Sequence, residues 1–321
     1  MGYKPLIWLL LLTLPCWAQT TFDPLTIGIG ARALGMGGAA VAVAEDADAI
    51  MNNPAGLGEI DHQKFTSMAG TILEDVNYTI LGGVFPLGEQ SAIGFGYAGA
   101  FVSGIELYDN SGTYTRKANY GRSVGLLSYG KKLSEDFSLG ATLKYYMADG
   151  TENDGSDGNG WNVDIGLLQS GLEWLSLGAT AQNVLSSSNF NYKNGEKEEL
   201  PATIKLGGKL AICGSKFRSA FLAPYELNAA FDGHYDLRGN RPMTTHWGVE
   251  FSPNPILTLR SGFDENNLTA GLTLKIAGLG FTYAYHPYGG FADNVTNYFS
   301  ITYDERGWEP EAPPNTFLGC K

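Results

Sequence analysis

Residues Ser138 to Met147 read SLGATLKYYM, and their alternation decides the fold. Leu139, Ala141, Leu143, Tyr145 and Met147 fall on one face, and Ser138, Gly140, Thr142, Lys144 and Tyr146 on the other. Successive side chains of a strand point to opposite sides, so a period of two with one apolar face is a half-buried strand. Leu268–Ile276 (LTAGLTLKI) and Ile204–Ile212 (IKLGGKLAI) repeat the pattern.

Working outward, fourteen such runs follow: 65–73, 76–85, 91–103, 121–132, 136–149, 160–170, 173–184, 201–212, 225–236, 244–253, 256–264, 267–275, 279–287 and 296–304. Most are about nine to fourteen residues long; soluble strands average roughly five or six, and a tilted membrane strand needs roughly nine to eleven. The connections after even-numbered runs are mostly tight, as at 86–90, 133–135 and Ala277-Gly278, whereas those after odd-numbered runs include 104–120, 150–159 and 185–200. Glu74-Asp75 and 213–224 break the parity. Short turns on one side and long loops on the other are the signature of an outer-membrane barrel. In lipid no water satisfies an open strand edge, so the last strand must pair with the first. The expected fold is therefore all-β: one closed antiparallel transmembrane barrel of about fourteen strands. Trp161, Trp174, Trp247, Phe263, Tyr283, Tyr298 and Tyr303 are placed for an interfacial aromatic girdle.

The N-terminus agrees. Lys4, the apolar run Leu6–Leu14 and the small-residue site at Cys16-Trp17-Ala18 form a secretory signal, 1–18, cleaved before Gln19. Pro15 stands where a lipoprotein signal needs a small residue, so Cys16 is not read as a lipid anchor. Localisation to the bacterial outer membrane follows, with membrane lipid as one partner. A net charge of −12 argues against a nucleic-acid partner. After the signal only Cys213 and Cys320 remain, both on the expected periplasmic side, where a disulfide between them is one possibility.

A barrel of this size has a lumen too wide for its own side chains to fill. Gly30–Leu57, GARALGMGGAAVAVAEDADAIMNNPAGL, is rich in Gly and Ala, which allow close approach to a wall. Residues 19–64 are accordingly expected to form a plug, 65–304 the barrel and 305–321 a periplasmic tail. Asp46 is positioned to cap a helix through about Met51; Pro54 ends it by disfavouring the helical region for Asn53, and Gly56 and Gly58 let the chain turn toward the first strand.

The run from Gly28 to Leu57 resembles the N-terminal signature of the PorV/PorQ family of outer-membrane proteins, related to the FadL-type fatty-acid channels. The matching motif is Asn53-Pro54-Ala55, followed by Gly56-Leu57. The resemblance implies a barrel plugged or lined by its N-terminal segment. FadL-type membership implies passage of hydrophobic small molecules across the outer membrane; PorV-type membership implies a type IX secretion subunit that binds exported proteins. A wall gap or apolar groove beside residues 31–62 would favour the first role. The tail GWEPEAPPNTFLGCK departs from barrels that end on an aromatic residue of the last strand.

Three polar constellations stand out in the sequence. Asp232, His234 and His246 fall on the polar faces of neighbouring strands; a hairpin symmetric about Asn240 would set the two imidazoles directly opposite, with Asp236 nearby. A polar lumen calls for such residues, no serine has a nucleophile context, and neither catalytic residues nor an enzyme are expected. Asp149–Gly160, DGTENDGSDGNG, carries four carboxylates but has Asp154 where a calcium loop needs Gly, so no metal or cofactor is expected. Lys144, Lys205, Lys209, Arg260 and Lys275 share the lumen with Asp164, Asp232 and Glu250, a mixture suited to a salt-bridged interior supporting a plug.

Overall fold

A computed structural model describes residues 23–43, 45–72, 75–150, 156–172, 174–185, 189–213, 226–237, 242–265, 267–287 and 295–307. The expected signal and most of the tail lie outside them. In chain order the strands are β1 (Lys64–Ile72), β2 (Val76–Pro86), β3 (Ser91–Tyr108), β4 (Tyr114–Ser134), β5 (Phe137–Asp149), β6 (Gly158–Leu172), β7 (Leu175–Gln182) and β8 (Asn189–Tyr192). They continue as β9 (Lys197–Glu199), β10 (Thr203–Cys213), β11 (Glu226–Asp236), β12 (Thr244–Ser252), β13 (Leu257–Asp264), β14 (Asn267–Ile276), β15 (Leu279–Pro287) and β16 (Val295–Asp304).

Among the described residues, fourteen of these strands make the wall, each antiparallel to its neighbours, and β8–β9 is a short hairpin that joins the sheet through the start of β6. The wall closes where β1 meets β16, from Lys64 opposite Asp304 to Gly70 opposite Tyr298. Every wall strand thus has a partner on both sides, as a non-aqueous surround demands. Among the described residues no helix is long and apolar enough to cross a membrane, which says nothing of a β-barrel, since barrels cross with strands.

The alternation read from Ser138–Met147 fixes the two faces. Ser138, Thr142 and Lys144 are buried toward the lumen, and Leu139 and Leu143 are exposed on the outside. Outward Trp161, Trp247 and Phe263 sit near the long-loop end, while rings of Tyr303, Phe65, Phe85 and Phe95 form a row near the other, spaced 6.1, 5.5 and 6.2 Å. An apolar belt of this extent is a lipid-facing surface. Tyr298 is a correction to the expected girdle: it is wholly buried on the luminal face, and Phe299 takes the outward position.

Two expected loops contain strand. The segment 104–120 is largely a ribbon in which β3 and β4 run on beyond β2 and β5, from Ile105 opposite Ala118 to Tyr108 opposite Tyr114. The segment 185–200 holds the β8–β9 hairpin, in register from Asn189 opposite Glu199 to Asn191 opposite Lys197. Local alternation ended the expected strands where barrel pairing ends, since exposed ribbon has no buried face to reveal it.

The described residues ahead of β1, from Asp23 on, lie inside the barrel. It holds a one-turn helix α1 (Ala31–Gly35), a second, α2 (Ala49–Asn52), and 3-10 turns at Pro24–Thr26 and Pro54–Glu59. The helix expected from Asp46 begins later. Asp46 Oδ1 instead accepts the Asp48 amide at 3.2 Å, an Asx turn over 46–48 directly ahead of α2. Gly56 and Gly58 also differ from expectation, lying within the 3-10 turn. A Cβ on Gly58 would stand 2.7 Å from the Lys131 backbone, so close approach is what that glycine supplies.

Candidate functional site: the plug and its seat

The plug seats on glycines of the wall. Gly130 on β4 pairs with Gly140 on β5, and Gly140 with Gly166 on β6. A Cβ at Gly140 would lie 2.2 Å from the Pro54 carbonyl, and one at Gly262 2.3 Å from the Met36 carbonyl carbon. Backbone therefore lies against backbone, which answers what the Gly/Ala stretch packs on. The wall half of this arrangement was legible as inward glycines but was not singled out.

Asn53 pins the motif. Its Nδ2 donates to the Val41 carbonyl within the plug at 2.9 Å and to the Leu167 carbonyl of the wall at 3.0 Å, while its Oδ1 accepts the Ala55 amide at 3.2 Å. Asn53, Ala55 and Leu57 are fully buried. Pro54 opens the 3-10 turn after extended Asn53, ending α2 as expected. Glu59 finishes the turn by accepting from Lys132 at 2.6 Å and Ser138 at 2.5 Å.

Asp232, His234 and His246 are brought together, in a register other than the expected one. His246 faces Asp232, and His234 faces Thr244, because the hairpin is centred one residue earlier than Asn240. The imidazoles meet diagonally, ring centres 4.1 Å apart. The cluster holds the plug. Asp232 Oδ2 accepts the amides of Ala40 (2.7 Å) and Val41 (2.9 Å), and His246 Nδ1 lies 2.8 Å from the Gly37 carbonyl. Sequence reasoning missed Asp264, which bridges His246 (2.9 Å) and His286 (2.7 Å) from β13. Strand adjacency was the available signal, but its use needs register.

A third anchor lies toward the short-turn end. Glu250 receives Arg32 of the plug at 2.8 Å and Arg260 of β13 at 2.6 Å, and Arg32 also bonds Asp46 at 3.1 Å. Glu45 pairs with Lys209, whose ammonium, ahead of Arg32, holds the Glu45 carboxyl down at about 2. Asp48 goes the other way: burial first, then Asp46, pushes its carboxyl up to about 7, and its Oδ1 has no hydrogen-bond partner. A polar cavity of about 210 Å³ lies between these plug groups and Lys64, Arg260 and Lys275. Lys144 and Asp164 close a buried pair of their own at 2.7 Å.

The opposite half of the lumen is apolar. Met68, Tyr78, Ile80, Val84, Val124 and Leu126 point inward from β1–β4 and pack on Leu25, Ile29, Leu34, Ile50, Met51 and Leu57 of the plug. Leu81, Phe95 and Leu127 of the same strands face outward. These strands are apolar on both faces, unlike the polar-lined wall from β10 to β15. An open apolar groove of about 630 Å³ lies on the outer surface over β16, β1, β2 and β3. The wall behind it is continuously paired, so it is a surface groove and not a gap.

Among the described residues no group of acidic, His or Cys side chains is arranged to hold a metal ion. Of the Asp149–Gly160 loop, residues 151–155 lie outside the described set, and Asp157 pairs with Lys193 and the Gly150 amide. Cys213 is a free thiol here; Cys320 lies outside the described residues.

Comparison with solved structures places this architecture. The chain is similar to the toluene transporter TodX of Pseudomonas putida, with a TM-score of 0.58 and 13% identity over 86% of this chain and 98% of that one. It is similar to the monoaromatic hydrocarbon channel CymD, with a TM-score of 0.58 and 13% identity over 88% and 99%. A FadL homologue of Pseudomonas aeruginosa matches with a TM-score of 0.54 and 12% identity over 86% and 98%. The fold is thus one that the toluene transporter, the hydrocarbon channel and the FadL homologue share. No family model and no curated protein matches the chain, and nothing found supports the PorV/PorQ half of the resemblance.

Proposed function

We propose that the protein is a passive route for hydrophobic small molecules across the outer membrane. The observation that carries this reading is the two-faced wall of β1–β4. Tyr78, Ile80, Val84 and Val124 are inward, apolar and buried against the apolar side chains of the plug, so a shift of the plug would open an apolar stripe along the lumen and not a polar pore. Once uncovered, such a stripe would take up apolar solutes at about 25 cal/mol per Å² of apolar surface removed from water. The likeness to hydrocarbon channels supports the same reading. Toluene, after the toluene transporter TodX, is the first substrate to try.

The test is uptake of toluene or a fluorescent hydrophobic probe by vesicles carrying the protein. Uptake above that of protein-free vesicles is expected, and it falls several-fold in Ile80→Asn and Val124→Asn. Equal uptake with and without protein would overturn the reading.

The alternative, a PorV-like subunit binding secreted proteins, draws its support from the exposed β3–β4 ribbon, whose two edges, among the described residues, carry no neighbouring strand beyond Val102 and Gly121. Open edges accept extended peptide. Purification of the native protein with secreted cargo and without hydrophobic ligand would favour it.

A further inference from the structure

His234 of β11 and His246 of β12 meet ring against ring where the wall holds plug residues 37–43, with centres 4.1 Å apart and planes 31° from parallel. Their surroundings differ. His246 Nδ1 has two acceptors, the Gly37 carbonyl at 2.8 Å and Asp264 Oδ1 at 2.9 Å, so it carries hydrogen in either charge state. A proton on its Nε2 would find the Thr244 hydroxyl at 3.1 Å. His234 has no such provision: its Nε2 makes no hydrogen bond, and Asp232 Oδ2 stands 3.8 Å away. That oxygen is the one engaged with the Ala40 and Val41 amides. Lys205 faces His234 from β10, Asp236 lies two residues on along the same strand, and Asp264 also binds His286. Beyond Lys205, Lys144 and Asp164 pair with each other. Residues 37–43, GGAAVAV, contain no titratable side chain, so a pH response of this stretch comes from the groups around it.

We propose that this stacked pair is a proton-operated release for plug residues 37–43, with His234 as its trigger. With neutral imidazoles, the carboxylates of Asp232, Asp236 and Asp264 outnumber the Lys205 ammonium, and nothing competes with the plug amides for Asp232. Between about pH 8 and pH 5, the span over which imidazole changes charge, protons enter the cluster. A proton on His246 is matched by Asp264. A proton on His234 sets two cations ring against ring beside Lys205 and turns Nε2 into a charged donor facing Asp232. An imidazolium pairs with a carboxylate by charge as well as by hydrogen bond, which a backbone amide does not. Asp232 therefore turns to His234 and leaves the amides of Ala40 and Val41 unheld. Repulsion between the rings pulls on the bond from His246 to Gly37 at the same time. The inference does not rest on the channel reading: the stretch is held or released whatever the lumen carries.

The test is hydrogen-exchange mass spectrometry on the full chain in lipid nanodiscs at about pH 8 and pH 5, each rate divided by that of the unfolded sequence at the same pH. Protection of residues 37–43 is expected to fall about tenfold at the lower pH, while β5 and β6 keep theirs. His234→Phe keeps a ring against His246 but takes no proton, and His234→Gln keeps a polar side chain that does not titrate. In both, protection should be the same at the two pH values; whichever retains the heat-dependent electrophoretic shift of a folded barrel is read. Asp232→Asn should leave the stretch poorly protected at both. Asp48 does not imitate the effect, since its carboxyl favours the folded plug at acid pH. Equal protection of the unmodified protein at the two pH values overturns the proposal, and so does a fall that persists in the folded His234 variant. Toluene uptake measured alongside keeps the two readings apart: acid release without uptake sinks the channel and keeps the trigger, and uptake without acid release does the reverse.

Discussion

Asp232 Oδ2 stands 2.7 Å from the amide nitrogen of Ala40, joining the middle of the β11 wall to the Gly/Ala stretch of the plug. The same oxygen takes the Val41 amide, so one carboxylate satisfies two buried donors. Asp232→Asn keeps the size and removes the charge. We expect amide exchange of residues 37–43 to rise about tenfold or more by hydrogen-exchange mass spectrometry, with the wall strands unchanged, because charge-assisted bonds contribute about 1.5–3 kcal/mol. Unchanged exchange would mean the carboxylate does not anchor the segment.

Asn53 joins plug to plug and plug to wall with one amide group. Asn53→Ala leaves the Val41 and Leu167 carbonyls without that donor and the Ala55 amide without its cap, at a cost of about 2–4 kcal/mol. The measurable result is earlier unfolding in urea, with the folded barrel keeping its heat-dependent electrophoretic shift. Asn53→Asp is expected to be worse, since a carboxylate cannot donate to either carbonyl.

Gly140 permits wall and plug backbones to touch. Gly140→Val drives a side chain into Pro54, whereas Gly125 has nothing within 4 Å of its would-be Cβ. Overpacking at the first site costs about 1–3 kcal/mol or displaces the plug. Single-channel recording should show raised ion conductance for Gly140→Val and none for Gly125→Ala.

Asp48 makes plug stability depend on pH. Its carboxyl is raised in the folded protein, so the ionised form is the disfavoured one. Stability contributed here is greatest at acid pH, is lost as pH rises from the ordinary carboxylate range through about 7, and stays lost above that. Asp48→Asn should therefore stabilise the protein at pH 8, by about 1–3 kcal/mol, and make little difference at pH 4. Melting curves at the two pH values decide it; equal effects at both would rule out Asp48 as the titrating group.

The wall was largely legible because lipid outside and polar groups inside impose strict alternation on every strand, and Ser138–Met147 already contains the rule. What could not be read was relational. The ring of Tyr298 looked like girdle because aromatic character alone does not say which face it occupies. The pairing of His246 with Asp232 depended on a hairpin centre displaced by one residue, and no local pattern encodes that. Pro54 announced the end of α2 through a backbone restriction, which is local, whereas the bonds of Asn53 to Leu167 span 114 positions and belong to the assembled fold.

Gly140 against Pro54 and Gly262 against Met36 bring two main chains together with no interleaved side chains. Such a joint resists compression but has no teeth. Sideways slip at these joints is opposed chiefly by the polar pins at Asn53, Asp232 and Glu250, so a few bonds released together would let that side of the segment swing while Leu25, Ile50 and Leu57 stay packed against β1–β4 as its pivot.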